Sequence, residues 1–282
     1  MTKNKKILFK TLLYIFLIGL SFITLLPVIY SFFASFKSNM ELLTNGAKLL
    51  PKKFTFDNYI QAWNIADFKT YTWNSVYMTF FIVIGVVFMS SMMGYVFSRG
   101  KFPGKGVIFA VFSSTMFISL GTITLFPTMQ VAQFLHLNKS LWGVIVITVF
   151  GTNITNIFLV RNFINSVPNE IDEAATIDGC GFFGIFIRIM LPLIKPILAT
   201  IAILSFKNAW NDYLLPMLFT VGQPDKQPLV VGVVSLKGTG EGATSWNLML
   251  AGMMISVVPM IIVYLCLNKY FVDGLTAGSV KG

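Results

Sequence analysis

From Glu173 to Pro192 the chain reads EAATIDGCGFFGIFIRIMLP, and the reading of this stretch decides the fold. It is a short, polar, small-residue segment set between two apolar runs, Leu141–Val160 and Leu191–Val221. Just upstream, Ser166 is placed to cap a helix, with Pro168 in its first turn. Glu170, Asp172 and Glu173 put negative charge near the helix start, where the backbone dipole favours it. Ala174 and Ala175 then give a surface with almost no side-chain bulk. Gly179 lets the chain leave the helix through a positive φ angle. A second helix, near residues 181–190, carries Phe182, Phe183, Phe186 and Ile187 and lies partly in a membrane interface. Pro192 starts the next apolar run. The predicted unit is a helix–turn–helix on the membrane face, and its small first helix fits a groove on a partner.

Composition sets the surroundings. Of 282 residues, 55% are hydrophobic and only 11% charged, with a mean hydropathy of +0.76. A soluble domain carries about a quarter charged residues, so this chain is too apolar to cover a water-facing surface. An integral membrane protein follows. The net charge of +10 sits in short basic clusters beside apolar runs, the pattern of membrane-flanking charge and not of a nucleic-acid surface. Cys180 and Cys266 fall in different kinds of segment without metal-ligand or paired-cysteine spacing, and the single histidine, His136, excludes imidazole-rich metal sites.

Six apolar runs are long enough to cross a bilayer, which takes about 20 residues each: Ile7–Phe33, Val76–Phe97, Val107–Met129, Leu141–Val160, Leu191–Val221 and Leu248–Leu267. In lipid each satisfies its own backbone groups only as a helix. The fold class is therefore all-α, a polytopic protein with six transmembrane helices. Lys3, Lys5, Lys6 and Lys10 place the amino terminus in the cytoplasm, and six crossings return the carboxyl terminus there. The first run is longer than a signal-peptide core and is read as a retained helix. Arg99, Lys101 and Lys105 then fall inside, as does the Glu173 segment between spans four and five. The organisation read from this is one transmembrane domain over 1–282. Residues 1–75 hold the first helix and a long outer loop, 76–270 the core helices with a coupling loop at 161–190, and 271–282 a cytoplasmic tail. The outer loop holds Tyr59, Trp63, Tyr71 and Trp73, aromatics suited to an interfacial belt or an external partner. Residues 222–247, rich in Gly, read as a second outer loop.

Charge inside the bilayer is costly, so polar groups there face protein or water. Run five carries Lys207, Asn208, Asn211 and Asp212. At about 100° per residue, Ser205, Asn208 and Asp212 share one helix face, whereas Lys207 and Asp212 point apart. The Ser205–Asn208–Asp212 stripe either lines a path through the membrane or packs against another helix. Thr152, Asn153, Thr155 and Asn156 in run four are explained by interhelical hydrogen bonding. No phosphate-binding GxxxxGK[ST] loop is present: only three residues separate Gly100 from Gly104, and Gly106 stands where Ser or Thr is needed. No nucleophile–histidine set is available either, so the chain reads as neither an ATPase nor another enzyme.

The spacing of Glu173-Ala174-Ala175, Gly179, Ile189 and Leu191-Pro192 resembles the EAA loop of permease subunits in binding-protein-dependent ABC importers. The resemblance continues through Phe54-Thr55-Phe56-Asp57-Asn58-Tyr59, Asn74-Ser75, Gly94-Tyr95-Val96-Phe97-Ser98-Arg99, Phe102-Pro103-Gly104-Lys105, Trp210-Asn211-Asp212-Tyr213 and the ending Gly274-Leu275-Thr276-Ala277-Gly278-Ser279-Val280-Lys281-Gly282. Together these are similar to the carbohydrate branch, the maltose/oligosaccharide type, and to the second of its two permease subunits. Cys180 departs from the usual small residue and Gly100 from a usual aromatic. The resemblance implies a bacterial inner-membrane importer of a sugar or oligosaccharide, with glycerol-3-phosphate or a polyol as the alternative cargo. An ion-coupled secondary transporter, with Lys207 and Asp212 as coupling charges, is the rival from another class. Implied partners are a second permease subunit forming a heterodimer, two ATPase subunits that hold ATP and Mg, and an extracytoplasmic sugar-binding protein. No cofactor is implied in this chain. Glu173, Ala174, Ala175, Asp178, Gly179, Ile189, Leu191 and Pro192 are the implied ATPase-coupling residues. Thr276, Gly278, Lys281 and Gly282 are the implied ATPase-contacting tail.

Overall fold

The structure, a computed structural model, describes residues 3–118, 121–151, 153–238 and 245–277. Among these residues every regular element is helical. In chain order they are α1 (Lys3–Ala34), α2 (Asn39–Asn45), α3 (Asp57–Ile65), α4 (Phe68–Arg99), α5 (Lys105–Ser114), α6 (Leu125–Phe134), α7 (Leu141–Phe150), α8 (Ile154–Asn165), α9 (Glu170–Ile177), α10 (Phe182–Ile185), α11 (Leu191–Leu193), α12 (Lys195–Asn211), α13 (Leu214–Phe219), α14 (Leu229–Ser235) and α15 (Trp246–Ala277).

Among the described residues, three helices are long and apolar enough to cross a bilayer: Phe9–Ala34 within α1, all of α4, and Trp246–Cys266 within α15. Two further candidates are broken. The pair α7 and α8 bends by 43°, and the helical stretch Phe182–Leu193 bends by 79° into α12. The third apolar run is not one helix: Lys105–Phe117 is too short to span, and a 3₁₀ turn at Gly121–Thr124 precedes α6. The fifth run also divides, just before Pro196, whose ring disfavours helix in the residues ahead of it and which has no N–H to continue the ladder. A π-helical turn at Phe186–Met190 precedes Pro192, and the chain turns at Ile194. Pro192 sits in the first turn of α11, and the helix carries on past it to the bend at Ile194. It is Pro196, in the first turn of α12, that opens the long apolar helix.

The chain divides into two compact units. The first contains the residues up to Phe68 and Gly232–Val258. Its α1 is apolar on all sides, and no residue of its best spanning window is buried within the chain. Such a helix has lipid or another protein as its natural neighbour. The segment after it, read from the sequence as a long loop, is a folded layer. Ser38 caps α2 by accepting the Glu41 N–H at 3.2 Å. Asn58 donates from Nδ2 to the carbonyls of Ser35 (2.7 Å) and Lys37 (2.8 Å), and its Oδ1 accepts from Asn247 at 2.8 Å. Lys37 is fully buried and donates to the Lys48 carbonyl. Buried backbone groups need such partners, which is why an irregular segment can hold one shape. Tyr59 is part of this layer, packed on Phe36 and hydrogen-bonded to Ser35, while Trp63 stacks on Phe68.

The second unit spans Lys69–Val231 and the part of α15 from Pro259. Its centre is α4. A Cβ on Gly85 would lie 2.5 Å from Val149 of α7, and one on Gly94 would lie 2.6 Å from Val160 of α8. Small residues allow this close helix approach where lipid offers no hydrophobic drive. Met78, Ile82, Val86, Val144, Val149, Val160, Ile164, Ile197 and Ile201 form the core between them. The Gly-rich region expected as an outer loop is partly helical and buried. Leu229 opens α14 with its N–H bonded to the Ser75 hydroxyl at 2.7 Å, and the apolar Leu229-Val230-Val231 run overrides the surrounding turn residues.

Candidate functional site

The Glu173 segment forms the expected pair of helices, with changes at both edges. Ser166 does not cap α9; it closes α8, bonding back to the Phe163 carbonyl at 2.7 Å. The start of α9 falls at Glu170, where the Asn169 carbonyl accepts the N–H groups of Asp172 (2.9 Å) and Glu173 (3.0 Å). Pro168 lies just outside the helix. Glu170, Asp172 and Glu173 do occupy the first turn, on the favourable side of the dipole.

The exit is a full Schellman turn. Gly179 has φ +83°, its N–H bonds to the Thr176 carbonyl at 3.0 Å, and the Cys180 N–H reaches back to the Ala175 carbonyl at 2.9 Å. The apolar contact that accompanies such a turn is supplied by Cys180, half-buried against the cluster that contains Ala175.

The two alanines face opposite ways. Ala174 is exposed, together with Glu173, Thr176, Ile177, Asp178 and Gly179. Ala175 is 5% exposed and belongs to the core cluster, so it seats α9 against the chain itself. Ile189 and Leu191 are half-buried against the same cluster, and Pro192 is exposed. Sequence reasoning passed over Ile177, which is 87% exposed at the last turn of α9. An isoleucine at the helix tip, flanked by Asp178 and one turn from Glu173, was the available signal.

The end of α4 borders this segment. Arg99 Nε donates to Asp172 Oδ2 at 2.7 Å and its Nη2 to the Val167 carbonyl at 2.6 Å. Tyr95 O–H bonds to the Phe182 carbonyl at 3.2 Å, and its ring packs 4.6 Å from that of Phe182. Lys105 caps α4 by donating to the carbonyls of Ser98 (2.7 Å) and Gly100 (2.9 Å). Partial burial, then the nearby charges of Arg161 and Arg99, lower the Lys105 pKa. An open cleft of about 560 Å³ runs between Arg99, Lys101 and Lys105 on one side and Asn169, Asp172, Glu173 and Thr176 on the other.

The polar stripe of run five is brought together, although not as a continuous helix face. Ser205 and Asn208 lie on α12, which ends at Asn211; Asp212 is extended (ψ 123°) and accepts the Leu215 N–H at 3.4 Å, starting α13. All three line a cavity of about 140 Å³ with Asn153, Asn156 and Thr148 from the α7–α8 break and Ile82 and Val86 from α4. Ser205 Oγ is buried without a hydrogen-bond partner. Asn153 and Asn156, assigned from sequence to ordinary helix packing, thus join the stripe. At the break Asn153 Nδ2 bonds to the Thr148 carbonyl at 2.9 Å, filling a gap in the helical ladder. Gly278, Lys281 and Gly282 lie outside the described residues; Thr276 is in the last turn of α15 and its side chain is not described.

An exposed acidic helix beside bent apolar helices, with no metal-ligating cluster among the described residues, is the arrangement set against known proteins. Residues 87–276 match the family described as binding-protein-dependent transport system inner membrane component. The arabinooligosaccharides transport system permease protein of Halalkalibacterium halodurans is 34% identical over 267 residues, covering 93% of each chain. The probable starch degradation products transport system permease protein of Thermoanaerobacterium thermosulfurigenes is 32% identical, covering 94% of each. A solved structure of a bacterial ABC transporter involved in the import of the acidic polysaccharide alginate has a chain with TM-score 0.78 and 27% identity, over 96% of this chain and 99% of that one. The chain belongs to the family of binding-protein-dependent transport system inner membrane components. It is a membrane-embedded permease subunit of an ABC importer, a transport component and not an enzyme.

Proposed function

We propose that this chain is one permease half of an ATP-driven importer that moves a sugar or oligosaccharide delivered by an extracytoplasmic binding protein across a bacterial inner membrane. It pairs with a second, similar permease, and two ATPase subunits drive the pair. The observation that carries this reading is α9: a short helix with Glu173, Ala174, Ile177 and Asp178 exposed, fixed by a Schellman turn and held against the core by Ala175. Its exposed face docks in a groove on the ATPase, with Ile177 as the apolar anchor. Six crossings, counting both bent pairs and the interrupted third run, put α9 and both termini in the cytoplasm. The tail from Thr276 to Gly282 reaches the ATPase interface. Cargo chemistry is supported by relatives whose names specify arabinooligosaccharides and starch degradation products.

The path through the membrane runs past Ser205, Asn208 and Asp212. Support comes from their shared cavity with Asn153 and Asn156, where amide, hydroxyl and carboxylate groups match the hydrogen-bonding edge of a sugar. Motor closure pushes α9 and rocks the helices around this cavity. The test is uptake of labelled oligosaccharides into proteoliposomes holding the purified importer, with its binding protein outside. Uptake that requires internal ATP and persists with an ionophore is expected. Uptake without ATP that an ionophore abolishes would make the chain an ion-coupled carrier.

A further inference from the structure

Tyr95, Ser98 and Arg99 stand at positions i, i+3 and i+4 of α4, so they share one face of its last turns. That face grips the Glu173 segment at each of its parts. Ser98 Oγ bonds to Asn165 Oδ1, at the end of α8, at 2.6 Å. Arg99 holds the Val167 carbonyl before α9 and the Asp172 carboxylate in its first turn. Tyr95 holds the Phe182 carbonyl after it. Only one of these contacts fixes α9 itself. A guanidinium presents several donors in a rigid fork, so a single Arg sets the position and direction of two groups at once. The pair is largely shielded, with side-chain exposures of 13% for Arg99 and 17% for Asp172. Asp172 Oδ1 is buried with no hydrogen-bond partner, which leaves the carboxylate dependent on Arg99.

The other end of the same helix reaches the polar cavity. Ile82 and Val86 line it beside Asp212, and α4 has no proline between Val86 and Arg99. Thirteen residues of α-helix span about 20 Å. Gly85 and Gly94 bring α4 against α7 and α8, which with the break between them carry Thr148, Asn153 and Asn156 of the cavity wall.

We propose that Arg99 is a positioning residue that locks α9 to α4 and so makes α4 the bar carrying the motor's stroke to the cavity. This rests on the reading of α9 as the ATPase-docking helix. Without the fork, α9 still binds the motor through its exposed face, but its movement is spent in the α8–α9 turn and does not reach α4.

The importer complex, purified with its own ATPase subunits and placed in nanodiscs, tests this. Cys180→Ala and Cys266→Ala remove the native thiols, and Val86→Cys reports on the cavity. N-ethylmaleimide labelling of that cysteine is compared without nucleotide and after trapping with ATP, Mg and vanadate. In this parent a difference of about fivefold or more is expected, the lower end of typical couplings between sites. Arg99→Gln is expected to retain the ATPase and its hydrolysis while the two labelling rates become equal. Asp172→Asn, which removes the charge and keeps an acceptor, reproduces that loss, and Arg99→Lys recovers part of the difference. Persistent nucleotide-dependent labelling in Arg99→Gln overturns the proposal. So does loss of the ATPase from that variant, because Arg99 would then act in docking. If the parent complex itself retains no ATPase, or Ile177→Asp fails to release it, the docking reading of α9 falls first.

Discussion

Replacing Gly179 isolates the backbone from everything else in the Glu173 segment. A Cβ added there meets nothing within 4 Å, so a substitution brings no steric contact, yet φ is +83°. A non-glycine residue in the left-handed region costs roughly 1–2 kcal/mol. The alternative, opening the turn, gives up the bonds from Gly179 N–H to Thr176 and from Cys180 N–H to Ala175, each worth about 1 kcal/mol. The two costs are comparable, so Gly179→Ala keeps the turn but loosens it. A loss of 1–2 kcal/mol raises the population of the open turn roughly 5- to 30-fold. Hydrogen exchange at the Cys180 amide reads that population directly. Gly179→Asn, which tolerates this region, is expected close to the parent, with Gly179→Ala faster and Gly179→Val fastest. Retention of the ATPase falls in the same order, while the thermal unfolding of the spans stays unchanged. Equal exchange in all four proteins would refute the argument that a left-handed residue sets this turn.

Further changes probe separate parts of the account. Ile177→Asp is expected to release the ATPase during purification while Ile177→Leu retains it, read by the subunit ratio of the tagged complex. Gly94→Ala drives a methyl to 2.6 Å from Val160, and overpacking of that kind costs about 1–3 kcal/mol. A lowered unfolding midpoint is expected, and Val160→Ala in the same chain should recover only part of it, because the Val160 Cβ itself lies 2.6 Å from the added methyl. Asn58→Ala strands the Ser35 and Lys37 carbonyls and the Asn247 amide, with a loss of about 1–3 kcal/mol for a buried group left unpaired, measured by chemical denaturation of the detergent-solubilised chain. Asp212→Asn and Ser205→Ala are expected to change the rate or selectivity of oligosaccharide uptake while ATPase retention stays as in the parent.

What was legible in the sequence followed local rules. Composition set the membrane class, and Gly179 announced its positive φ because few other residues adopt it without strain. The acidic first turn of α9 was visible for the same reason, since charge near a helix end acts over one turn. The starting edge was misplaced: Ser166 was available to cap α9, but α8 continued far enough to use its hydroxyl. Hydropathy counted six runs without showing where they break. Run five bends at Ile194, just before Pro196 and after a π turn that no spacing announces, and run three stops at Phe117. The opposed faces of Ala174 and Ala175 depended on how α9 sits against Ile185 and Phe186, a tertiary fact no spacing contains. Asp212 reached the cavity by leaving the helix, so the three residues grouped by the angular argument do share a cavity, but on a geometry that holds only for Ser205 and Asn208. The folded layer from Ser35 to Asn58 was hidden because its order comes from the buried amide of Asn58 and the buried ammonium of Lys37.

A photo-crosslinking amino acid at position 177, with a second chain carrying it at exposed position 73 in the amino-terminal half of α4, tests the central claim most directly. Irradiation of intact cells followed by mass spectrometry of the adducts identifies each neighbour. The account predicts an adduct with the ATPase subunit from position 177 and none with it from position 73. An ATPase adduct from position 73, or none from position 177 in a complex that still transports, would contradict it.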